Sequence, residues 1–363
     1  MSDSSLPSLP ERPDLEQLRK QAKELRASGA AGSLAEAQRE VARRHGFASW
    51  PKLKTAVELI VLRRLIEEGD AAGARALLAD SRGLAKATFD DGSTPLHLAA
   101  GENRPALVEV LVEHGAPLHA AYGRSGHSAL SWALTCWAFD AAQQLVASGV
   151  EPDLFCAAGL GDLSRVRGFW PEGVLRSKPS RTGSSRYGES GEQLPSPPRR
   201  DADQVSDALY LACRCDRPEV ARWLLDHGAD PDWRGYAGGT CLGWAEFSGN
   251  RALCQLLRER GGSDTLRDPH YGAVPRVFGL MVLAGWGFPR QLLARLVEDR
   301  AQATLAGERG TLLHAAAEGG QEATARILLH FGADKGARDR DGKTAAEVAA
   351  LAGHGALAAL LSP

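Results

Sequence analysis

The chain has 363 residues, a formal net charge of −2 and 40 glycines. This balance gives no global basic field of the kind that attracts nucleic acid or anionic membranes. We find no apolar run of about 18 residues and no charged-then-apolar secretory pattern over residues 1–10. We therefore expect a cytoplasmic protein with neither nucleic acid nor membrane as partner.

Three helical patterns open the chain. Four apolar residues between Leu15 and Leu25 form a helical stripe, a second pattern covers residues 34–45, and a third begins after a capping Ser49. Basic residues alternate with glutamates in these helices, which is typical of a solvated face. We assign residues 1–55 as a helical leader that caps the following array, because end repeats expose an apolar face.

Residues 92–100 predict a tight turn that leads into a short helix. Thr94 can cap this helix, and Pro95 occupies the first helical position, where its missing N–H is no loss. A weaker copy covers residues 310–317. Each copy is followed by a second apolar helix pattern and then by a Gly-Ala pair. The unit of this chain is therefore a helix pair introduced by a turn.

A 33-residue period links three pairs of positions: Asp207 and Thr240, Gly228 and Gly261, and Thr311 and Thr344. This period predicts an array of about eight helix pairs over residues 56–363. Two degenerate pairs are expected, a first one over residues 57–78 that lacks the turn signature and another over residues 271–299. A segment rich in Ser, Pro, Gly and Arg interrupts the array at residues 171–204. Its composition favours a surface loop, with a lid as the alternative.

The Thr-Pro-Leu-His-x-Ala stretch of residues 94–99 resembles the signature of the ankyrin repeat. The leader, which ends in the Gly-Phe-x-x-Trp-x-x-Leu stretch of residues 46–53, is similar to a helical segment that precedes ankyrin repeats in a group of bacterial proteins. A similar ending occurs on some bacterial glyoxalase-like proteins. The resemblance implies an all-α ankyrin-repeat solenoid with short hairpin fingers. It also implies that His97 and His314 hydrogen-bond the backbone of a neighbouring repeat.

Members of this family grip partners, usually proteins and occasionally small molecules, with their inner helices and fingers. We therefore expect another protein as partner, with a small molecule or peptide as the alternative. The binding residues that we predict on the fingers are Asp90, Asp91, Arg124, His127, Trp233, Arg234, Tyr236 and Arg340. Those that we predict on the inner helices are Glu102, Trp132, Tyr210, Arg214, Trp244 and Phe247.

Large aromatic residues keep the small-molecule alternative open. Trp132 and Trp244 occupy the same slot of their repeats, two residues after the leucine of the signature, where a small side chain is usual. Together with Tyr210 they could line an apolar pocket for a flat ligand, as in a sequestering or resistance protein. The other interpretation of these aromatics is core packing.

No catalytic residue, metal site or cofactor is predicted, although a repeat-scaffold enzyme with an unfamiliar site stays a third hypothesis. Cys213 and Cys215 lack the two-residue gap of a zinc site, and residues 235–239 follow no predicted strand and carry no phosphate-binding lysine. Residues 188–191 have the wrong spacing for a nucleophile elbow. The six cysteines lie in predicted helices, where we expect small buried thiols.

Overall fold

The computed structural model describes residues 9–10, 12–123, 125–176, 186–187, 193–194, 201–235 and 238–362. It divides the chain into two compact units, residues 1–151 and 152–363. The predictions for Arg124, for Tyr236 and for most of the insert fall outside the described residues.

Unit 1 opens with the three helices that the leader predicts. These are α1 (Leu15–Ala27), α2 (Leu34–Arg44) and α3 (Trp50–Glu68). Side-chain oxygens of Asp14, Ser33 and Ser49 accept a backbone N–H at the start of each helix, as expected of N-caps. A buried cluster that includes Leu18, Val41 and Leu53 holds the three helices together. The same cluster includes Val57, which lies beyond the leader boundary expected at residue 55.

The third leader helix does not stop at the boundary expected at residue 55. α3 runs on to Glu68, where Gly69 ends it in the left-handed conformation. The buried residues Val57, Leu62 and Ile66 continue the apolar side of the helix into the first repeat. The same helix thus serves the leader and the first helix pair, and the backbone has no break between them.

The remaining helices of unit 1 form three pairs together with α3. They are α4 (Ala71–Asp80), α5 (Pro95–Gly101), α6 (Pro105–Glu113), α7 (Ala129–Thr135) and α8 (Phe139–Ala147). A 3-10 turn over Arg82–Lys86 follows α4. Inner helices α5 and α7 contact each other, as do outer helices α4, α6 and α8 in succession. This is the stacking of a helical solenoid, whose core is built pair by pair.

Unit 2 repeats the arrangement with six pairs. Its helices are α9 (Leu154–Leu160), α10 (Leu163–Gly168), α11 (Asp201–Arg214), α12 (Pro218–Asp226), α13 (Cys241–Ser248), α14 (Arg251–Glu259), α15 (Pro275–Gly285), α16 (Pro289–Glu298), α17 (Leu312–Glu318), α18 (Glu322–His330), α19 (Ala345–Leu351) and α20 (Gly355–Leu361). Short 3-10 turns cover Pro171–Gly173 and Arg300–Thr304. Two antiparallel strand pairs complete the described elements: β1 (Arg186–Tyr187) with β2 (Gln193–Leu194), and β3 (Ala306–Gly307) with β4 (Gly310–Thr311).

The described part of the chain contains nine helix pairs from α3 onward, one more than the eight predicted. The pairs without the turn signature, α3 with α4 and α15 with α16, form like the others because their apolar sides pack against adjacent pairs. The later degenerate pair agrees closely with its prediction. Expected over residues 274–284 and 289–297, its helices run from Pro275 to Gly285 and from Pro289 to Glu298.

The helix after the insert begins earlier than predicted. We expected the insert to reach residue 204, but α11 already begins at Asp201. Asp207 therefore lies within the helix, where its buried carboxylate accepts a hydrogen bond from Trp233 Nε1 at 2.7 Å. This bond joins the helix to the finger 26 residues later.

Glycines let the inner helices of unit 2 approach each other closely. A Cβ on Gly279 of α15 would lie 2.7 Å from the backbone nitrogen of Phe247 in α13, and one on Gly319 would lie 1.9 Å from the carbonyl oxygen of Gly285. No larger residue fits either position without moving the backbone. The ends of consecutive inner helices consequently lie directly against one another.

Within the described ranges, no helix is both long enough and apolar enough to cross a membrane.

Candidate functional site

The histidines of the turn signature join consecutive repeats. The Nδ1 atom of His97 lies 2.8 Å from Thr94 Oγ1, and its Nε2 atom lies 3.0 Å from the carbonyl oxygen of His127. His314 makes the same contacts with Thr311 and with the carbonyl oxygen of Lys343. The backbone-bonding role that the resemblance implied for both histidines is confirmed, so they are structural residues.

Burial lowers the pKa of His97 below its ordinary value, and the hydrogen bond to the His127 carbonyl opposes this shift. The backbone nitrogen of Thr94 also donates toward Nδ1, which fixes the neutral ring with its proton on Nε2. A charged imidazolium would lose this acceptor and stand in an apolar interior.

The predicted binding residues of unit 1 fall into two groups. Asp90, Asp91 and Glu102 are exposed, and Asp91 accepts hydrogen bonds from both the backbone nitrogen and the hydroxyl of Ser93. His127, expected at a finger tip, is instead fully buried, because its carbonyl receives His97 and its ring packs edge-on against Trp132. The exposed carboxylates are available to a partner, and the histidine is part of the interior.

Trp132 lies half-buried at the edge of the inner helices of unit 1. Its ring packs edge-on against Tyr122 at 5.0 Å between centroids. A Cβ on Gly101 would lie 2.6 Å from Trp132 Nε1, so this glycine makes the room that the indole occupies. A large side chain in this slot is accommodated by a small residue of the preceding helix.

Trp244 is the centre of an aromatic cluster inside unit 2, with 0% of its surface exposed. Its ring lies 5.1 Å from Phe278, 5.8 Å from Phe247, 6.0 Å from Trp286 and 6.3 Å from Tyr210, between centroids. We call Tyr210, Trp244, Phe247, Phe278 and Trp286 the aromatic cluster.

Arg214 inserts its charged end into the aromatic cluster. Its guanidinium carbon lies 3.9 Å from the centroid of the Trp244 ring and 5.5 Å from that of Trp286, and only 3% of the residue is exposed. A guanidinium at these distances from indole rings is stabilised by the negative potential of their faces. Arg214, which we predicted as a binding residue, is therefore buried and contacts aromatic rings of the protein itself.

The described residues of the glycine-rich finger, 233–235 and 238–240, lie on the aromatic cluster. A Cβ on Gly235 would lie 2.4 Å from the Tyr210 ring, and a Cβ on Gly239 would lie 2.5 Å from the Phe278 ring. Trp233 is tied to Asp207, and Arg234 pairs with Thr240 in an isolated bridge. The glycines therefore serve close packing, and Trp233 is held by a buried carboxylate.

This packing changes what the aromatics of unit 2 can do. We expected that Tyr210 and Trp244 could line a ligand pocket, but both are buried and the space around Trp244 is filled by rings, by Arg214 and by the finger. Core packing, the other interpretation, describes these two residues. Phe247 is half-buried at the margin of the cluster.

The exposed face of unit 2 lies at the C-terminal ends of the inner helices. Trp286, which follows α15, is 42% exposed, and Leu351, the last residue of α19, is 73% exposed. Between them stands Glu318, the exposed last residue of α17. We call Trp286, Glu318 and Leu351 the inner-helix face. Single apolar residues are common on surfaces, but here an indole and a leucine flank one carboxylate.

An open groove of about 390 Å³ adjoins this face. Apolar side chains such as Met281, Val348 and Leu351 line one part of it. Its charged lining residues are Arg309, Glu318, Asp339, Arg340, Asp341 and Lys343. The predicted binding residue Arg340 is thus exposed at the groove, where it pairs with Asp341 at 3.8 Å.

Trp286 and Leu351 were not among the residues that we predicted from the sequence. The repeat period carries a signal for Leu351, which lies 33 residues after Glu318, just as Phe247 lies 33 residues after Arg214. At the ends of other inner helices the corresponding residues, Glu102 and Glu318, are charged. An apolar leucine at position 351 is therefore a signal that the sequence offers for this site. Trp286 lies in the degenerate pair, where that register is lost.

The described residues contain no cluster of three or more His, Cys, Asp or Glu side chains that could hold a metal ion. Five of the six cysteines are buried, as expected, and Cys136 is half-buried. Burial raises the pKa of Cys215 to about 12 and also raises that of Cys156 well above its ordinary value. These thiols are protonated at neutral pH and pack as small apolar groups.

Comparison with protein families agrees with this geometry. Residues 61–156 match the model for ankyrin repeats in three copies, and residues 207–236 and 310–340 each match the single ankyrin repeat. The chain contains ankyrin repeats. The predicted all-α solenoid is confirmed, and the first match covers most of the pair α3 and α4, which lacks the turn signature. Ankyrin repeats are generally protein-interaction modules, which is consistent with a non-catalytic binder.

Proposed function

We propose that this ankyrin-repeat protein is a non-catalytic binding module that recognises another protein through inner helices and fingers. The observation that carries the proposal is the inner-helix face of unit 2. There, Leu351 is 73% exposed and Trp286 is 42% exposed, and Leu351 and Glu318 line a charged groove. Covering a fully exposed side chain of this size contributes roughly 1.5–3 kcal/mol. Tryptophan is also one of the residue types that most often anchors a protein interface.

The form of the surface favours a protein over a small molecule. A small-molecule site encloses most of its ligand in an apolar pocket with few polar groups. The groove at the inner-helix face is open and has both signs of charge along its lining. Tyr210 and Trp244, two of the aromatic residues behind the ligand hypothesis, are buried and packed against neighbouring side chains. Unit 1 has exposed polar residues of its own that a protein could contact, Asp90, Asp91 and Glu102.

Site-specific crosslinking tests the proposal. A photoreactive amino acid placed at position 351 should crosslink one or a few proteins in a lysate of the native cell. The same amino acid at position 297 should not, because Val297 is equally exposed at 71% but lies on outer helix α16. The partner identified in this way should then be titrated against the purified chain.

Binding of that partner should weaken at least tenfold in Leu351→Asp and in Trp286→Ala, because each change removes an apolar anchor. Val297→Asp is the matched control and should bind like the natural chain. If position 297 crosslinks the same proteins as position 351, or if Leu351→Asp binds normally, the inner-helix face is not the recognition surface.

A further inference from the structure

We infer that the partner presents a lysine or arginine side chain to Glu318 and Trp286, with an apolar side chain beside it for Leu351. This inference rests on the proposed function and specifies the chemistry of the partner. Its evidence is the adjacency of the two helix ends, the charge between the apolar residues and the contacts that Trp286 makes within unit 2.

Glu318 and Trp286 lie on neighbouring helix ends that touch. The position of a Cβ on Gly319 falls 1.9 Å from the carbonyl oxygen of Gly285, so the residues next to these glycines stand side by side. The buried Tyr271 lies close to both residues. Burial raises its pKa most, and the nearby charge of Glu318 raises it further. The Trp286 side chain donates a hydrogen bond to its hydroxyl. A carboxylate and an indole therefore border one patch of surface.

The carboxylate of Glu318 is available for a cation. Among the ion pairs of the described residues none involves Glu318, and its exposed side chain extends from the end of α17. Backbone carbonyls at the C-terminal ends of α15 and α17 add negative partial charge at the same place. Both features favour a positively charged group from a partner.

Trp286 already makes a cation–π contact within the fold, which is the kind of contact that we propose for the partner's cation. The Arg214 guanidinium lies 5.5 Å from its ring centroid, and 42% of Trp286 is still exposed. A second cation that approaches the exposed part would gain from both the indole and the carboxylate. Attraction to an exposed indole and an exposed ion pair are each modest, and together they predict a preference of about three- to tenfold.

The basic residues of the groove precede the N-terminal ends of α17 and α19, whereas Glu318 is the last residue of α17. Arg340 and Lys343 belong to the finger before α19 and share Asp341, at 3.8 and 3.6 Å. Arg309 precedes the start of α17, and the seven residues of that helix place Glu318 about 10 Å further along. This is about one Debye length at moderate salt, so these basic residues repel a partner's positive charge bound at Glu318 only weakly.

The spacing of the helices sets the spacing of the partner residues. Inner helices α17 and α19 pack directly, and packed helix axes lie about 8–10 Å apart. An extended chain advances about 3.3 Å per residue, so a basic residue at Glu318 and an apolar residue at Leu351 are three positions apart. The expected recognition element is an extended segment of the form basic-x-x-apolar.

Two fluorescent pools of seven-residue peptides test this inference on the full chain. One pool has Lys at position 2 and Leu at position 5 with the other positions mixed, and the second pool has Glu in place of Lys. Fluorescence anisotropy should show about three- to tenfold tighter binding of the Lys pool. This preference should shrink as salt is raised, because part of it is an exposed ion pair.

Variants identify the side chains responsible. Glu318→Lys should abolish or invert the preference, and Trp286→Leu should reduce it about two- to fivefold while the chain stays folded by circular dichroism. Glu322→Lys makes the same charge change on outer helix α18 of the same repeat and should leave the preference intact.

Equal binding of the two pools, or an equal effect of Glu322→Lys and Glu318→Lys, would overturn the inference. The proposed function has a separate readout, since a protein that still crosslinks at position 351 would show that the face binds a partner of other chemistry.

Discussion

At the scale of single residues, His97 shows how the repeat signature works. Its ring contacts Thr94 at the start of its own helix and the His127 carbonyl of the next finger. One side chain therefore satisfies a helix cap and a buried acceptor 30 residues away. Such a residue is conspicuous in the sequence but is occupied by the fold, which makes it a poor candidate for contact with a partner.

Replacing His97 by alanine should lower the free energy of unfolding by about 1–3 kcal/mol, because the buried His127 carbonyl keeps its bond from the Tyr122 backbone but loses the one from His97, and Thr94 loses its contact with the ring. Urea denaturation followed by circular dichroism measures the loss. His119→Ala is the control, since His119 is exposed in the same unit and should cost less than about 0.5 kcal/mol. Equal losses in the two variants would show that the link between the repeats contributes little.

The stability of the protein should also depend on the protonation of His97. Burial lowers the folded pKa, so between that value and the unfolded value of about 6.5 the unfolded chain binds more protons. The contribution of His97 is complete above pH 6.5 and declines as the pH falls through the folded pKa. The urea midpoint should therefore drop between pH 8 and pH 5.5, and less so in His97→Ala. Parallel pH profiles for the two proteins would contradict this.

At the scale of elements, long side chains and glycines connect consecutive repeats. Arg104 donates to the carbonyl oxygen of Glu67 at 2.8 Å, and Arg217 donates to that of Gly159 at 3.0 Å. In each case the side chain precedes an outer helix and satisfies a carbonyl near the C-terminal end of the preceding repeat's inner helix. The left-handed glycine at that end faces the arginine.

The glycine finger gives an element-scale prediction. Gly235→Ala should lower the free energy of unfolding by about 1–3 kcal/mol, because the new methyl group meets the Tyr210 ring at 2.4 Å. Thermal unfolding followed by tryptophan fluorescence measures the effect. Gly168→Ala in α10 is the matched control, since no atom lies within 4 Å of its new methyl group and alanine favours a helix. A Gly235→Ala protein as stable as this control would mean that the finger does not pack on the ring.

At the scale of the molecule, the leader is integrated with unit 1. The cluster of Leu18, Val41 and Leu53 extends to Val57, and α3 continues from the leader into the first repeat. The leader thus packs against α3, the first helix of the first pair.

Val41→Ala should therefore speed hydrogen exchange in α3 and α4 as well as in α2, with a loss of about 1–3 kcal/mol in unfolding free energy. Exchange followed by mass spectrometry resolves the helices. Arg39→Ala lies on the same helix but is exposed, so it should leave exchange in α3 unchanged. Faster exchange confined to α1 and α2 would mean that the leader unfolds as a separate domain, as a boundary at residue 55 implies.

The sequence by itself determined the parts of this protein that depend on near neighbours. Capping Thr94 and Ser49, the first-turn Pro95 and the apolar stripe of α1 each act within about one or two helical turns, so helix positions follow from local patterns. The 33-residue period then specified repeats, because identical local units must stack to bury their apolar sides.

Tertiary structure alone decided which side chains are exposed. From the sequence, Trp244 and Tyr210 could contact a ligand, but in the structure Phe278, Arg214 and the finger pack against them. Trp233 is held by Asp207, 26 residues away. Leu351, by contrast, stands in water beside Glu318. Exposure depends on what other repeats bring to a residue, and that is a property of packing between distant segments, which no local pattern encodes.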